Sequence, residues 1–347
     1  MNAHSAWDID EKVEELLASP AGCAFLVVLQ ESGVSTADAV HPAISLQAAY
    51  RAINKLSIWR PNFQETVKFA LLNGRKLSEL ARAILELPEV GWWFAPIDRK
   101  AQTWAASRDD APTLAKFNMP SAAPLTYWER RTNKSDSGLY TCTSFEGNSS
   151  FLTAMDISDV NGPNDLTIEF EFPVKQWRLR VSDAARVYEI NGPADWHRLC
   201  AKYPAGSARD ASDPSESDNE GWTLYPLATL PRDSEEQDFA TDMASWLTPN
   251  WSAVAAEWDG VHLTLGGLLT AEKVRVASAA GWSMLRFWDM EQTMWLRWVF
   301  DDVERLPDRD AIPLPVELYF PFADYRAFLD AEGKDYGGTM RRYTFPD

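Results

Sequence analysis

Leu139-Tyr140-Thr141-Cys142-Thr143-Ser144 is the stretch on which the fold class turns. It is rich in Thr and Tyr, which suit a pleated strand, and it follows the polar turn cluster Asn133-Lys134-Ser135-Asp136-Ser137. Leu125–Thr132, on the other side of that turn, reads as a strand too. Further along, alternation with a period of two returns in Ile168, Phe170 and Phe172, then in Trp177, Leu179 and Val181, and Arg186–Ile190 reads as another strand. Asp195–Tyr203 and Pro249–Trp258 read as helices, whereas His262–Leu265 and the apolar segment Met284–Phe300 read as strands.

The preceding sequence has a different period. From Ala6 to about Leu87, apolar residues recur at three- and four-residue spacing: Val13, Leu16 and Leu17, then Ala21–Glu31 after the break at Ser19-Pro20. Gly33 closes the second helix, and Ser35 or Thr36 caps the next. Ile44, Ala48, Ile53 and Leu56 continue the pattern, Phe63–Leu71 carries it to a stop at Asn73-Gly74, and Leu77–Leu87 forms a last helix. Pro96–Ala123 reads as connecting chain. The expectation is an α+β protein: an N-terminal helical domain over 1–111, a connection over 112–124, and an α+β domain over 125–347 made mostly of strands.

The 347 residues carry 33 Lys and Arg against 51 Asp and Glu, a net charge of −18, which argues against a surface that wraps nucleic acid or anionic lipid non-specifically. That charge is uneven. Residues 205–248 hold ten acids against Arg209 and Arg232, a local −8, and read as a mobile acidic insertion. Between Arg51 and Arg82, seven basic residues face two acids, a local +5 that reads as solvated helix surface, or as a patch for phosphate or for the acidic loop. Sixteen tryptophans imply thick cores or exposed stacking platforms.

Three widely spaced cysteines, Cys23, Cys142 and Cys200, support neither a disulfide framework nor a zinc site. The longest apolar run, Ala21–Leu29, falls short of the ~18–20 residues that span a bilayer. Together these point to a reducing, cytoplasmic-type location without membrane contact. Phosphate-binding glycine loops, HExxH, GxSxG and calcium-loop patterns are absent from the sequence, which lowers kinases, metallohydrolases and α/β-hydrolases. His262, on a strand just after Asp259-Gly260, reads as an acid, a base or a hydrogen-bonded core residue.

Two segments carry more chemistry. Tyr127-Trp128-Glu129-Arg130-Arg131 precedes the hydroxyl-rich strand that ends at Thr143-Ser144, and Trp288-Asp289-Met290-Glu291-Gln292-Thr293 opens a later strand. An arginine, a Ser/Thr strand end and an acid-x-Glu in this order resemble the motifs of the ADP-ribosyltransferase superfamily, over residues 125–300. The resemblance implies that NAD is a substrate and that Glu291 and Asp289 are catalytic. Cleaving the nicotinamide–ribose bond builds positive charge on the sugar, so a carboxylate beside the ribose, Glu291, stabilises the transition state more than the ground state. Asp289 would contact the acceptor, a protein or a nucleic acid selected by the helical domain. Arg131, or Arg130 with the register shifted by one, would hold the phosphates. Thr143 or Ser144 would orient the ribose, and Tyr140 or Trp288 would stack on the nicotinamide. Two other readings use different features: a non-enzymatic interaction module acting through the acidic loop and exposed aromatics, and a sugar or nucleotide binder built on tryptophan platforms.

Overall fold

Pro20–Leu29 is buried at every position, so the helix carrying it is apolar all round and must lie at the centre of other elements. The computed structural model describes residues 7–56, 62–106, 109–121, 129, 133–145, 147–155, 173–205, 246–310 and 317–334. In it α1 (Ile9–Ala18) starts on the Asp8 carboxylate, which accepts from the backbone N–H of Asp10 at 2.9 Å, and α2 (Pro20–Glu31) starts on Ser19 with Pro20 in its first turn. A bend of 93° separates the two, and no single helix among the described residues is long and apolar enough to cross a membrane. Around α2 pack α1, α4 (Pro42–Lys55) and α5 (Phe63–Gly74); α3 (Thr36–Ala39) and α6 (Ser78–Leu85) complete the helical part.

Asn73-Gly74 does end α5, yet Gly74 keeps a helical φ of −62°. Close approach explains the glycine: a Cβ there would stand 2.4 Å from Cα of Cys23 on α2. Gly74→Ala is therefore expected to push two core helices apart and to cost about 1–3 kcal/mol in urea unfolding. An unchanged midpoint would contradict this packing.

The strands form one sheet in the order β10-β4-β1-β2-β9-β6-β5, with β3 (Asn148–Ser149) paired to β2. These are β1 (Gln102–Ala106), β2 (Leu139–Phe145), β4 (Lys175–Val181), β5 (Val187–Ile190), β6 (Gly260–Leu263), β9 (Gln292–Trp295) and β10 (Phe300–Arg305); β7 (Arg275–Ser278) and β8 (Gly281–Met284) make a separate hairpin. All pairings along the path are antiparallel except β5 with β6. A parallel pair needs a crossover, and α8 (Pro193–Lys202) and α9 (Trp251–Glu257) lie between those two strands in the chain.

Several sequence expectations are met. The protein is α+β, and the strands at 175–181 and 187–190 and the helices at 193–202 and 251–257 lie where the periodicity places them. Others are corrected. Gln102–Ala106, inside the stretch read as helical domain and connection, is a strand in the middle of the sheet. His262–Leu265 splits between β6 and α10 (Leu265–Ala271), and Met284–Phe300 is broken into the ends of β8, β9 and β10. Most of Leu125–Thr132, the Ile168–Phe172 alternation and nearly all of the acidic insertion lie outside the described residues.

One buried cluster joins Phe25, Leu26 and Trp93 of the helical part to Ile190, Val261, Leu263 and Met294 on one face of the sheet. The opposite face carries a second cluster, with Trp177, Leu179, Trp295 and Phe300. The C-terminal α11 (Phe322–Ala331) returns to the helical part, where Thr66 Oγ1 and the Tyr325 hydroxyl share a 2.6 Å hydrogen bond. Much of the basic stretch is paired within the chain: Arg82 with Asp10, Lys68 with Glu332 at 2.7 Å, and Arg75 Nε with the Leu17 carbonyl at 3.2 Å. No tryptophan among the described residues is exposed, and Trp93, Trp196, Trp288 and Trp295 are fully buried. Core volume, not open platforms, accounts for the described tryptophans.

Candidate functional site

Strand pairing builds the site. Glu189 on β5 lies opposite His262 on β6, and His262 lies opposite Thr293 on β9. Glu291, two residues before Thr293, shares its face because strand side chains alternate with a period of two. The same rule puts Thr141 and Thr143 of β2 on that face, with Gln102 of β1 opposite Thr143. A polar row thus crosses four strands and the start of β9 on the sheet face turned away from the central helices.

Its centre is a carboxylate–imidazole–carboxylate unit. His262 Nδ1 lies 2.5 Å from Glu189 Oε2, and Nε2 lies 3.0 Å from Glu291 Oε1. Glu291 also accepts from Thr143 Oγ1 at 2.6 Å, from the Thr143 backbone N–H at 3.1 Å and from Ser150 Oγ at 2.5 Å. Ser150 opens α7 (Ser150–Met155), which packs against α4, so the helical part helps to place it. Glu189 Oε1 accepts the backbone N–H of Ile97 at 3.1 Å.

Behind Glu291 the row has one polarity. Trp295 Nε1 donates to Thr141 Oγ1 at 2.7 Å, Thr141 Oγ1 to Gln102 Oε1 at 2.6 Å, Gln102 Nε2 to Thr143 Oγ1 at 3.2 Å, and Thr143 Oγ1 to Glu291. An indole only donates and a carboxylate only accepts, so every hydroxyl between them is oriented towards Glu291.

Burial works against the charge on His262, but hydrogen bonds from both carboxylates and their charges outweigh it and push the imidazole up to about 9. It is an imidazolium at neutral pH and donates from both nitrogens. Burial would likewise raise the Glu291 carboxyl, yet His262, Ser150 and Thr143 hold it below its ordinary value. Burial and the nearby Glu291 charge push the Cys142 thiol up, so it stays protonated. The centre is a fixed, ionised carboxylate in a dry setting. No group of His, Cys, Asp and Glu among the described residues is arranged to hold a metal ion.

Of the residues singled out from sequence, Thr143, His262 and Glu291 meet. Ser144 points to the opposite face of β2 from Thr143, and its N–H donates to the Ala101 carbonyl at 2.6 Å. Tyr140 shares that opposite face; its hydroxyl donates to the Ser135 carbonyl at 2.7 Å, and burial pushes the phenol's pKa up, so it stays protonated. Trp288 is fully buried with its ring 6.1 Å from Trp196, so it offers no free face for a nicotinamide ring. Asp289 is exposed, at a left-handed φ of 35°, and pairs with Lys134 at 3.1 Å. Arg130 and Arg131 lie outside the described residues.

Sequence reasoning missed the roles of Glu189, Ser150 and Gln102. An acid inside the apolar run Val187-Tyr188-Glu189-Ile190 was the available signal for the first. Asp259-Gly260 leads into the strand expected to carry His262, and that strand pairs in parallel with β5: Asp259 accepts the Arg186 N–H at 2.7 Å, and a Cβ at Gly260 would stand 2.8 Å from the Trp295 ring. No family model, curated protein or solved structure matches the chain.

Proposed function

We propose that this chain consumes NAD, by ADP-ribosyl transfer or by NAD glycohydrolysis, at the carboxylate of Glu291. The observation that carries the reading is the 2.6 Å hydrogen bond from Thr143 Oγ1 to Glu291 Oε1. It brings the hydroxyl strand and the acid-x-Glu strand, far apart in sequence, into one row. The substrate class comes from the resemblance; the acid–base character comes from the geometry.

The chemistry needs a negative charge fixed before the reaction begins, next to a ribose ring that becomes cationic as nicotinamide departs. Glu291 is ionised and held by four donors, so little reorganisation accompanies the transition state. A ribose hydroxyl can reach it by taking the place of Ser150, whose hydrogen bond comes from α7 while Thr143 and His262 hold from neighbouring strands. Asp289, exposed two residues earlier, is free to meet an acceptor once its Lys134 pair opens. The test is incubation with NAD. Nicotinamide release and protection against thermal melting are expected; neither effect appearing would overturn the proposal.

A further inference from the structure

We infer that Glu189 is a second catalytic residue of this site, the base that takes the proton from the attacking water or acceptor hydroxyl; this rests on the reading of Glu291 given above. The row holds two carboxylates with one imidazolium between them, and their surroundings differ. Glu291 and His262 each keep only 3% of their side-chain surface, whereas Glu189 keeps 24%. Among the three, only Glu189 has appreciable access to a nucleophile arriving from solvent. A carboxylate offers about four acceptor positions, and Glu189 uses one on each oxygen, for Ile97 and for His262. Two positions remain for an incoming O–H.

His262 divides the labour. Its cation sits between the carboxylates and donates to both, so Glu291 keeps its charge for the ribose while Glu189 is held in place by a donor that has no need to give up its proton. Two carboxylates given different tasks by their environments is a recurrent arrangement in glycosidic chemistry. In hydrolysis the water oxygen bonds to the anomeric carbon, and the bond from that carbon to the nicotinamide nitrogen breaks. Its electron pair leaves with the nicotinamide, and the proton lost by the water goes to Glu189 and then to solvent. In transfer the acceptor nucleophile takes the place of the water.

The experiment is NAD turnover by full-length wild type, Glu189→Gln and Glu189→Ala, each also scored for NAD protection against melting. Glu189→Gln should lower kcat about 100-fold, with KM for NAD and melting protection nearly unchanged. Formate, a small carboxylate, should restore part of the rate to Glu189→Ala. Glu189→Gln turning over at the wild-type rate would overturn the role of Glu189 while leaving that of Glu291 intact. Loss of melting protection in both variants, without rescue by formate, would reduce Glu189 to a structural part. A wild-type chain that releases no nicotinamide would overturn the underlying reading as well.

Discussion

Replacing Glu291 with alanine is expected to destabilise the folded protein by about 3–5 kcal/mol, because it strips a buried imidazolium of one counter-charge and leaves other donors unpaired. The affected groups are His262 Nε2, the Thr143 N–H and hydroxyl, and the Ser150 hydroxyl. Nothing solvates them, since each of these residues is buried. Urea unfolding measures the effect. Glu291→Gln keeps the shape and one acceptor, so it should lose clearly less. Equal and small losses for both variants would mean that Glu291 is not the keystone of the row.

Stability should also fall on the alkaline side. His262 is raised in the folded state from its ordinary value of 6.5 to about 9. A group whose folded value is raised contributes stability that is complete below the unfolded value and is lost as pH climbs through the folded one. The window therefore runs from pH 6.5 to about 9, and the loss is on the order of 3 kcal/mol at about 1.4 kcal/mol per unit. Glu291 acts in the opposite sense: its folded value is lowered, so its contribution is present above the ordinary carboxylate range and is lost on acidification. Of the other titratable groups, Glu189 on β5 bonds His262 directly, and the protonated Cys142 thiol, on the opposite face of β2, lies close enough to Glu291 to feel its charge. Unfolding midpoints between pH 6 and 10 should decline in wild type and flatten in His262→Gln. A wild-type curve that is flat over this range would remove the imidazolium from the account.

Local chemistry made much of the fold legible. Ser19-Pro20 starts α2 and Gly33 closes it at φ +64°, as their side chains and backbone freedom dictate. The features that were not legible depend on distant neighbours. Leu265–Ala271 contains Gly266 and Gly267, which read against a helix; they are there because a Cβ would strike the Phe94 ring at the first and the Ile190 carbonyl at the second, each 2.1 Å away. Gln102–Ala106 is a short, mixed sequence whose strand character comes from its flanking partners, β2 and β4. The site divides in the same way. His262 and Glu291 stand out as residue types, but their meeting with each other and with Glu189 requires sheet pairing across 29 and 73 residues. Ser144 and Tyr140 lie on the same strand as Thr143, and strand alternation sends them to the other face.

The most direct test is nicotinamide release from NAD, measured side by side for the wild-type chain and for Glu291→Gln shown by its unfolding curve to be folded. Release by the wild type and none above background by the variant is the expected result. Release at equal rates by both, or by neither, would contradict it.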